Sequence, residues 1–307
     1  MLRWLNRYAA WALPCGLAVG LLLQDLAALL RPSVTPLIFL LTLAGFLRVD
    51  WRQISAALRQ PIPALGATLA ILVGSPVLLA ALLPWLPQEV GLALLLQSVA
   101  PPIGSAPVMA VMAGLEGGFA LVVSVAATVL AVVTLPPMLD AFAGIAVEIE
   151  PARLALRLLA LIGGAVVVAS LIRRLAGHRL AALAPEVGGV TVIVMVLFAI
   201  AVMDGLVVTA VADPIRVIRL TLVAIVAAIV WAGIACLITW RFAGPTRALT
   251  FGLLAGNRNL GLVLGALGAA APGEFTVYLA VAQLPIYLVP AVFGALARLA
   301  IRSRSPS

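Results

Sequence analysis

The chain has 307 residues, of which 64% are hydrophobic and 10% are charged, and its formal net charge is +8. A soluble globular domain has about 45–50% apolar and about 25% charged residues. The composition excludes a cytosolic enzyme, a nucleic-acid-binding domain and a disordered protein, and it indicates a membrane protein with several spanning helices.

Prolines, glycines and charges divide the apolar sequence into ten segments. A membrane-spanning helix needs about 20 mostly apolar residues. We therefore predict an all-α polytopic membrane protein with ten transmembrane helices. In chain order they cover residues 8–30, 33–47, 61–85, 88–113, 117–141, 153–172, 185–208, 217–240, 245–271 and 275–300.

The first segment also has an alternative interpretation. Residues 1–7 are basic and an apolar run follows them, as in a signal peptide. This run is longer than the apolar region of a typical signal peptide, and no small-residue cleavage site closes it. We interpret it as the first spanning helix.

The arginines indicate the orientation of the helices. All 19 residues of the Lys and Arg class are arginines, and most lie at the ends of predicted helices. Cytoplasmic loops carry the excess of positive charge in membrane proteins. With the N-terminus inside, thirteen arginines lie on the cytoplasmic side and five on the outer side. We expect both termini in the cytoplasm, and the short loops suit a cell inner membrane.

Predicted helices 4 and 9 are interrupted near their centres. Residues 101–107 contain three prolines, and residues 256–261 contain two glycines around three polar residues. Each helix is the fourth in a set of five, and a second set with an odd number of helices inserts upside down. We predict two inverted five-helix repeats, residues 1–150 and 151–307, that form one membrane domain with a binding site at the interruptions. The alternative is that proline and glycine are simply common in membrane helices.

Arg258, in the interruption of helix 9, is the most informative candidate residue. A charge at the centre of a spanning helix costs about 2.5–3.5 kcal/mol on insertion scales and usually faces the bundle interior or an aqueous cavity. No acidic residue is predicted at the same depth. Its partner is therefore either an anionic substrate group or the backbone carbonyls that the interruption of helix 4 exposes. The other candidate substrate-binding residues are Asn257, Asn259, Ser105, Pro107 and Gln283.

The sequence contains no recognisable catalytic or metal-binding set. Cys15 and Cys236 lie in apolar segments, and His178 has no second ligand near it. There is no Ser/His/Asp grouping, no pair of carboxylates at the membrane centre and no nucleotide-binding loop. We expect neither enzymatic activity, nor a cofactor, nor direct use of ATP.

Three segments resemble the bile acid:sodium symporter family. Residues 41–61 (LTLAGFLRVDWRQISAALRQP) resemble the end of its second helix with the following amphipathic turn and proline. The broken helix 4, ending Pro107-Val108-Met109, is similar to its proline- and glycine-rich crossing helix. Residues 256–262 (GNRNLGL) are similar to its Gly-x-Gln-Asn-x-Gly-Leu motif. The resemblance covers essentially the whole chain. It implies a panel and a core subdomain, two broken helices that cross near substrate and sodium, and sodium-coupled uptake of organic anions.

The sodium ligands that this resemblance implies are largely replaced. In helix 9, the family's acidic residue before the motif corresponds to a leucine, and its motif glutamine corresponds to an arginine. The family's serine and asparagine in helix 4 are absent, and so is its glutamine in helix 3. The residues at these positions are Leu254, Arg258, Ala106, Pro107 and, near the last, Ile71. The site thus loses its carboxylate and gains a guanidinium. We therefore expect sodium coupling to be absent or altered.

Three polar residues of the family pattern are retained. They are Asn259 and, as candidate residual sodium ligands, Ser124 and Thr128. The alternative for the two hydroxyls is a bond back to a carbonyl one turn earlier, which is usual in membrane helices. Sodium is therefore a doubtful ligand.

The sequence predicts a secondary active transporter that moves a small organic anion across the membrane by alternating access. Its expected partners are that anion and the lipid bilayer, and not a nucleic acid. A membrane-embedded sensor or assembly partner that kept the fold without transport is the alternative, because such a protein would also lose the sodium ligands. A passive facilitator is a third possibility.

Overall fold

The computed structural model describes residues 9–49, 61–143, 150–177 and 179–302. The amphipathic link predicted over residues 48–59 lies outside this part of the chain, apart from Arg48 and Val49. His178 and the arginines at positions 3 and 7 also lie outside it.

The described residues are almost entirely helical and contain no β-strand. In the first half of the chain the helices are α1 (Ala9–Leu22), α2 (Gln24–Leu30), α3 (Val34–Leu47), α4 (Pro61–Leu69), α5 (Ser75–Ala80), α6 (Gln88–Ser98), α7 (Ala106–Met112) and α8 (Gly117–Ala143). In the second half they are α9 (Pro151–Leu158), α10 (Gly164–Ala176), α11 (Arg179–Ala182), α12 (Ala184–Ala201), α13 (Leu206–Ala212), α14 (Pro214–Gly256), α15 (Leu260–Leu267) and α16 (Gly273–Arg302). Short π-helical segments, Ala70–Gly74 and Leu159–Gly163, join α4 to α5 and α9 to α10.

Six helical runs within the described residues are long and apolar enough to cross a membrane. They are Gln24–Leu47, Pro61–Ala80, Gly117–Phe142, Pro151–Ala176, Ala184–Ala212 and Pro214–Gly256. Large apolar side chains on them are exposed, for example Leu237 at 78% and Phe242 at 90%. A soluble monomer rarely exposes extended apolar surface, so the molecule has the surface of a helical membrane protein.

The structure shortens two predicted helices and confirms one predicted boundary. Leu23, with φ −115° and ψ 71°, ends α1, so the first predicted helix does not run unbroken to residue 30. The seventh ends at Ala201, because the chain turns through Gly205 at φ 74° before α13. The predicted boundary between helices 8 and 9 is confirmed: within α14 the chain kinks at Gly244, whose φ of 74° and ψ of 166° suit glycine alone, directly before Pro245.

The helices pack as two groups. α12 packs against α1, α2 and α3, and α10 packs against α3; we call these five helices the small bundle. α8 packs against α4, α7 and α14, while α16 packs against α14 and α6; together with α5 and α15 these form the large bundle. α15 contacts α3, and this contact lies in the interface between the two bundles.

Candidate functional site

The first interruption separates α6 from α7. α6 ends at Ser98 and α7 begins at Ala106, and between them Pro101 and Pro102 have no backbone N–H. The carbonyl of Ser98 would accept from the N–H of residue 102 in a continuous helix, so this proline leaves it without its helical donor. The sequence predicted an interruption here; Pro107, however, lies inside the first turn of α7 and not in the break.

The second interruption separates α14 from α15. Asn257 has φ −114° and ψ 85°, and Asn259 has φ −85° and ψ 72°, so neither residue is helical. The side chain of Asn259 accepts a hydrogen bond of 3.1 Å from the N–H of Leu262 and thereby caps the N-terminus of α15. Asparagine is suited to this position because its short side chain reaches the first free amides of the helix.

The two interruptions hydrogen-bond to each other. The N–H of Ile103 donates to the carbonyl of Asn257 at 2.9 Å, and the N–H of Asn259 donates to the carbonyl of Pro101 at 2.7 Å. Pro102 and Arg258 are thus paired as in an antiparallel β-bridge. Backbone groups that each helix cannot satisfy internally are satisfied by the other, as a site away from water requires.

The side chain of Arg258 donates hydrogen bonds to five oxygen atoms at this crossing, and the residue is only 1% exposed. Its Nε donates to the carbonyl of Ala255 at 2.6 Å. Its Nη1 donates to the carbonyls of Ala100 at 2.9 Å, Ile71 at 3.1 Å and Ser98 at 3.4 Å. Its Nη2 donates to the Oγ of Ser75 at 3.0 Å.

The carbonyls around Arg258 lack their helical donors for separate reasons, although that of Ile71 also accepts from the Ser75 hydroxyl at 2.5 Å. The N–H of Ser75 bonds to Ala70 in the π-helical segment, and residue 76 is a proline, so the Ile71 carbonyl has no helical donor. The Ala255 carbonyl is free because the N–H of Asn259, its partner in a continuous helix, donates to Pro101 instead. Arg258 therefore supplies donors where local sequence has removed them.

No carboxylate pairs with Arg258 among the described residues. A buried charge needs partners, and here carbonyl and hydroxyl oxygens supply them. Of the two alternatives that the sequence left open, this geometry corresponds to a clamp on exposed carbonyls. A contact between the guanidinium and a substrate stays a prediction, and the 1% exposure does not favour it.

A cavity of about 300 Å³, cavity A, lies beside the crossing, between the two bundles. α3 and α12 form one wall, and α7, α8, α16 and the start of α15 form the other. Of the eight predicted site residues, all but Asn257 line it: Ser105, Pro107, Ser124, Thr128, Arg258, Asn259 and Gln283. Residues from four separate parts of the chain are thus brought together.

The polar side chains of cavity A differ in their bonding. Ser124 is 4% exposed, and its buried Oγ has no hydrogen-bond partner. The Thr128 hydroxyl donates to the Ser124 carbonyl at 2.8 Å, the back-bond expected of a membrane helix. The side-chain amide of Gln283 donates to Leu279 at 3.1 Å.

Asn257 lies outside cavity A and is completely buried. Its amide donates to the carbonyl of Ile286 at 3.3 Å and contacts the sulfur of Met109 at 3.6 Å, while its Oδ1 has no partner. These contacts tie the second interruption to α16 and α7. We therefore assign Asn257 a supporting position behind the crossing.

Sequence reasoning missed several polar residues of cavity A. Thr42 and Arg48 lie on or directly after α3, and Thr191 lies on α12. Arg48 was counted only as an orientation signal, because nothing in the sequence places the end of α3 beside α7. The spacing of Thr42 and Arg48 gave no signal, because residues six apart do not lie on the same face of a helix.

A second cavity, cavity B, lies further along the same interface. It has a volume of about 350 Å³ and is lined by Thr35 of α3, Ala201 at the end of α12 and Leu264 of α15. Between the cavities the bundles touch closely: an added Cβ on Gly261 would lie 3.1 Å from Phe198, and one on Gly265 would lie 3.1 Å from Ile38. The absence of side chains at these two positions permits the approach.

Ion pairs tie helices together within each bundle. In the large bundle Glu89 at the start of α6 pairs with Arg216 and Arg219 of α14, both at 2.5 Å. At the opposite end Arg247 pairs with Glu116 at 2.9 Å. In the small bundle Arg31 pairs with Asp204 at 2.6 Å.

One arginine links α9 to α15. Arg157 donates from Nη1 to the carbonyl of Leu267 at 2.7 Å and to that of Ala266 at 3.4 Å. These carbonyls end α15, where a positive charge also interacts favourably with the helix dipole. The contact lies at the end of α15 that borders cavity B.

No protein-family model matches the chain, and no curated protein matches it. The resemblance to the bile acid:sodium symporter family therefore stays a prediction that rests on the residues quoted above.

Proposed function

We propose that this protein is a secondary transporter of organic anions that works by alternating access and does not couple transport to sodium. The observation that carries the proposal is the position of two cavities on one interface, on either side of a close contact between two helical bundles. Secondary transporters bind substrate where discontinuous helices meet near the membrane centre.

The course of α3 supports alternating access. Thr35 lines cavity B and Thr42 lines cavity A, and the two residues are about two helical turns apart. The barrier between the cavities consists of van der Waals contacts around Gly261 and Gly265 and not of ion pairs. A shift of one bundle against the other would therefore close one cavity and open the other without breaking an ion pair between described residues.

The surroundings of Arg258 support independence from sodium. Five oxygen atoms surround its guanidinium, which is a fixed positive charge in a cluster of carbonyl and hydroxyl ligands. Sodium also binds to such oxygen clusters, so a permanent cation leaves no need for a mobile one. The positions that the family resemblance assigns to sodium ligands hold Leu254 and Pro107, which have no side-chain oxygen.

The same proposal includes ten transmembrane helices in two inverted repeats. The protein lies in the inner membrane of the cell, and both of its termini are in the cytoplasm. Interruptions at residues 99–105 and 257–259 support the repeat, because they fall in matching fourth helices and pair with each other. The arginine bias supports the orientation. In this arrangement Arg48 and cavity A lie on the cytoplasmic side.

A sensor or assembly partner is the competing function. The clamp formed by Arg258 would serve such a protein equally well. The two cavities favour transport. A protein that no longer transports a substrate has no need for the unpaired hydroxyl of Ser124 in cavity A. A passive facilitator has the same features and differs only in failing to accumulate substrate.

Uptake into proteoliposomes tests the proposal. Organic anions that raise the thermal unfolding temperature of the purified protein are first selected, because a ligand of the folded state stabilises it. Their radiolabelled forms are then taken up with sodium, potassium or choline outside. We expect protein-dependent uptake at equal rates in the three salts. A strong requirement for sodium would reject the coupling part, and failure of every stabilising anion to enter would reject transport. Equilibration without accumulation under any gradient would identify a facilitator.

A further inference from the structure

Cavity A contains an arginine, Arg48, whose side chain has no hydrogen-bond or ion-pair partner in the described part of the chain. Arg48 follows α3 directly, lines the cavity and is exposed. Among the described residues no carboxylate pairs with it, whereas four other arginines pair with carboxylates at 2.5–2.9 Å. Partial desolvation lowers the pKa of the Arg48 guanidinium below its ordinary value. An anion beside it would offset this desolvation.

A second observation lies on the opposite wall. The Oγ of Ser124 is buried, lines the same cavity and has no partner. A buried hydroxyl without a hydrogen bond is unfavourable, and a polar group of a bound ligand would supply the missing partner. Apolar side chains such as Leu41, Val108 and Leu121 form most of the remaining wall. The cavity thus combines an arginine and a hydroxyl that lack partners among the described residues with a mostly apolar wall.

We propose that Arg48, and not Arg258, binds the anionic group of the transported molecule, an apolar compound with a single carboxylate or sulfonate and a polar substituent that reaches Ser124. This assignment rests on the proposed function for its biological meaning. Arg258 is excluded as the anion ligand because its guanidinium is already bonded to five oxygens. Arg48 instead sets the charge preference of the site.

Equilibrium binding tests the assignment without any transport. The full chain in lipid nanodiscs is titrated calorimetrically with naphthalene-2-sulfonate and with its neutral counterpart naphthalene-2-sulfonamide, and empty nanodiscs give the background. We expect the wild type to bind the sulfonate about tenfold more tightly, since charge-assisted hydrogen bonds are roughly twice as strong as neutral ones. Arg48→Gln should abolish this preference, and Arg48→Lys should keep most of it.

The matched control is Arg174→Gln. Arg174 is exposed near the end of α10, and it lines neither cavity. It follows Arg173, whose side chain contacts the carbonyls at the end of α3. Its variant should keep the sulfonate preference. Equal affinity of the wild type for both probes would overturn the assignment, as would a preference that survives Arg48→Gln or disappears in Arg174→Gln. Arg48-dependent binding without uptake into liposomes would sustain the assignment and reject transport.

Discussion

The Nη1 atom of Arg258 lies 2.9 Å from the carbonyl oxygen of Ala100, on the other interrupted helix. One side chain thus joins the two breaks and also reaches the π-helical turn at Ile71. The three irregular segments expose carbonyls within reach of a single guanidinium. Their stability is therefore coupled through one residue.

Arg258→Met should destabilise the protein strongly. The methionine preserves the apolar bulk but leaves the carbonyls of Ala100 and Ala255 without the Arg258 donor, while that of Ile71 keeps the Ser75 hydroxyl. Each buried carbonyl left unpaired costs about 1–3 kcal/mol. Thermal unfolding in detergent, followed by tryptophan fluorescence, measures the effect against Arg174→Gln as a surface control. A variant as stable as the wild type would show that water replaces the guanidinium.

Two glycines of α14 should respond differently to alanine. A Cβ on Gly256 would lie 2.7 Å from the carbonyl of Ala228 and 3.0 Å from Ala232, so Gly256→Ala should cost about 1–3 kcal/mol through overpacking. A Cβ on Gly233 would meet no atom of another segment within 4 Å, and Gly233→Ala should be neutral or stabilising, because alanine has the higher helix propensity. Unfolding temperatures of the two variants decide. Equal shifts would contradict the close packing of α14 at Gly256.

Cysteines on α3 should be labelled from opposite sides of the membrane. The background replaces Cys15 and Cys236, and single cysteines are placed at Thr35 in cavity B or Thr42 in cavity A. A membrane-impermeant thiol reagent is added to either face of oriented vesicles. We expect each cysteine to react from one face only, and the two faces to differ. Reaction of both from the same face would show that the two cavities share one entrance.

The buried pair of Tyr278 and Gln97 provides a test of polar packing. The Tyr278 hydroxyl donates to the Oε1 of Gln97, and both side chains are buried. Tyr278→Phe should destabilise by about 1–3 kcal/mol, because it leaves that oxygen unpaired. The double variant Tyr278→Phe/Gln97→Leu removes both partners and should recover part of the loss. A double variant less stable than the sum of the single changes would indicate that the amide has another role.

Ser124→Ala should separate binding from stability. The Ser124 hydroxyl is buried without a partner, so its removal should leave the unfolding temperature unchanged or raise it. Affinity for an anion that carries a hydroxyl should fall by a few-fold, while that for naphthalene-2-sulfonate should not change. A drop in the unfolding temperature without ligand would show that the hydroxyl is satisfied within the folded protein.

Much of the architecture follows from local chemistry and was predictable. Apolar composition predicts helices in a membrane, and Pro101 and Pro102 lack the N–H groups that a continuous helix needs at that point. The same dipeptide at Pro136 and Pro137 nevertheless lies within α8, so the pair favours a break without determining it. The sequence also predicted the placement of Arg258 near the interruption of helix 4, as one of two alternatives. The early end of α1 at Leu23 was not, since leucine carries no signal for a helix end and the packing of α1 and α2 against α12 sets it.

The local sequence thus specifies which backbone groups lose their helical hydrogen-bond partners, because those partners lie only three or four residues away. It does not specify which donor replaces them. Arg258 reaches a carbonyl 187 residues away at Ile71, and Arg48 enters cavity A, because the bundles pack in one particular way. This packing results from many weak interactions between segments that are distant in the chain, and no local sequence pattern encodes it.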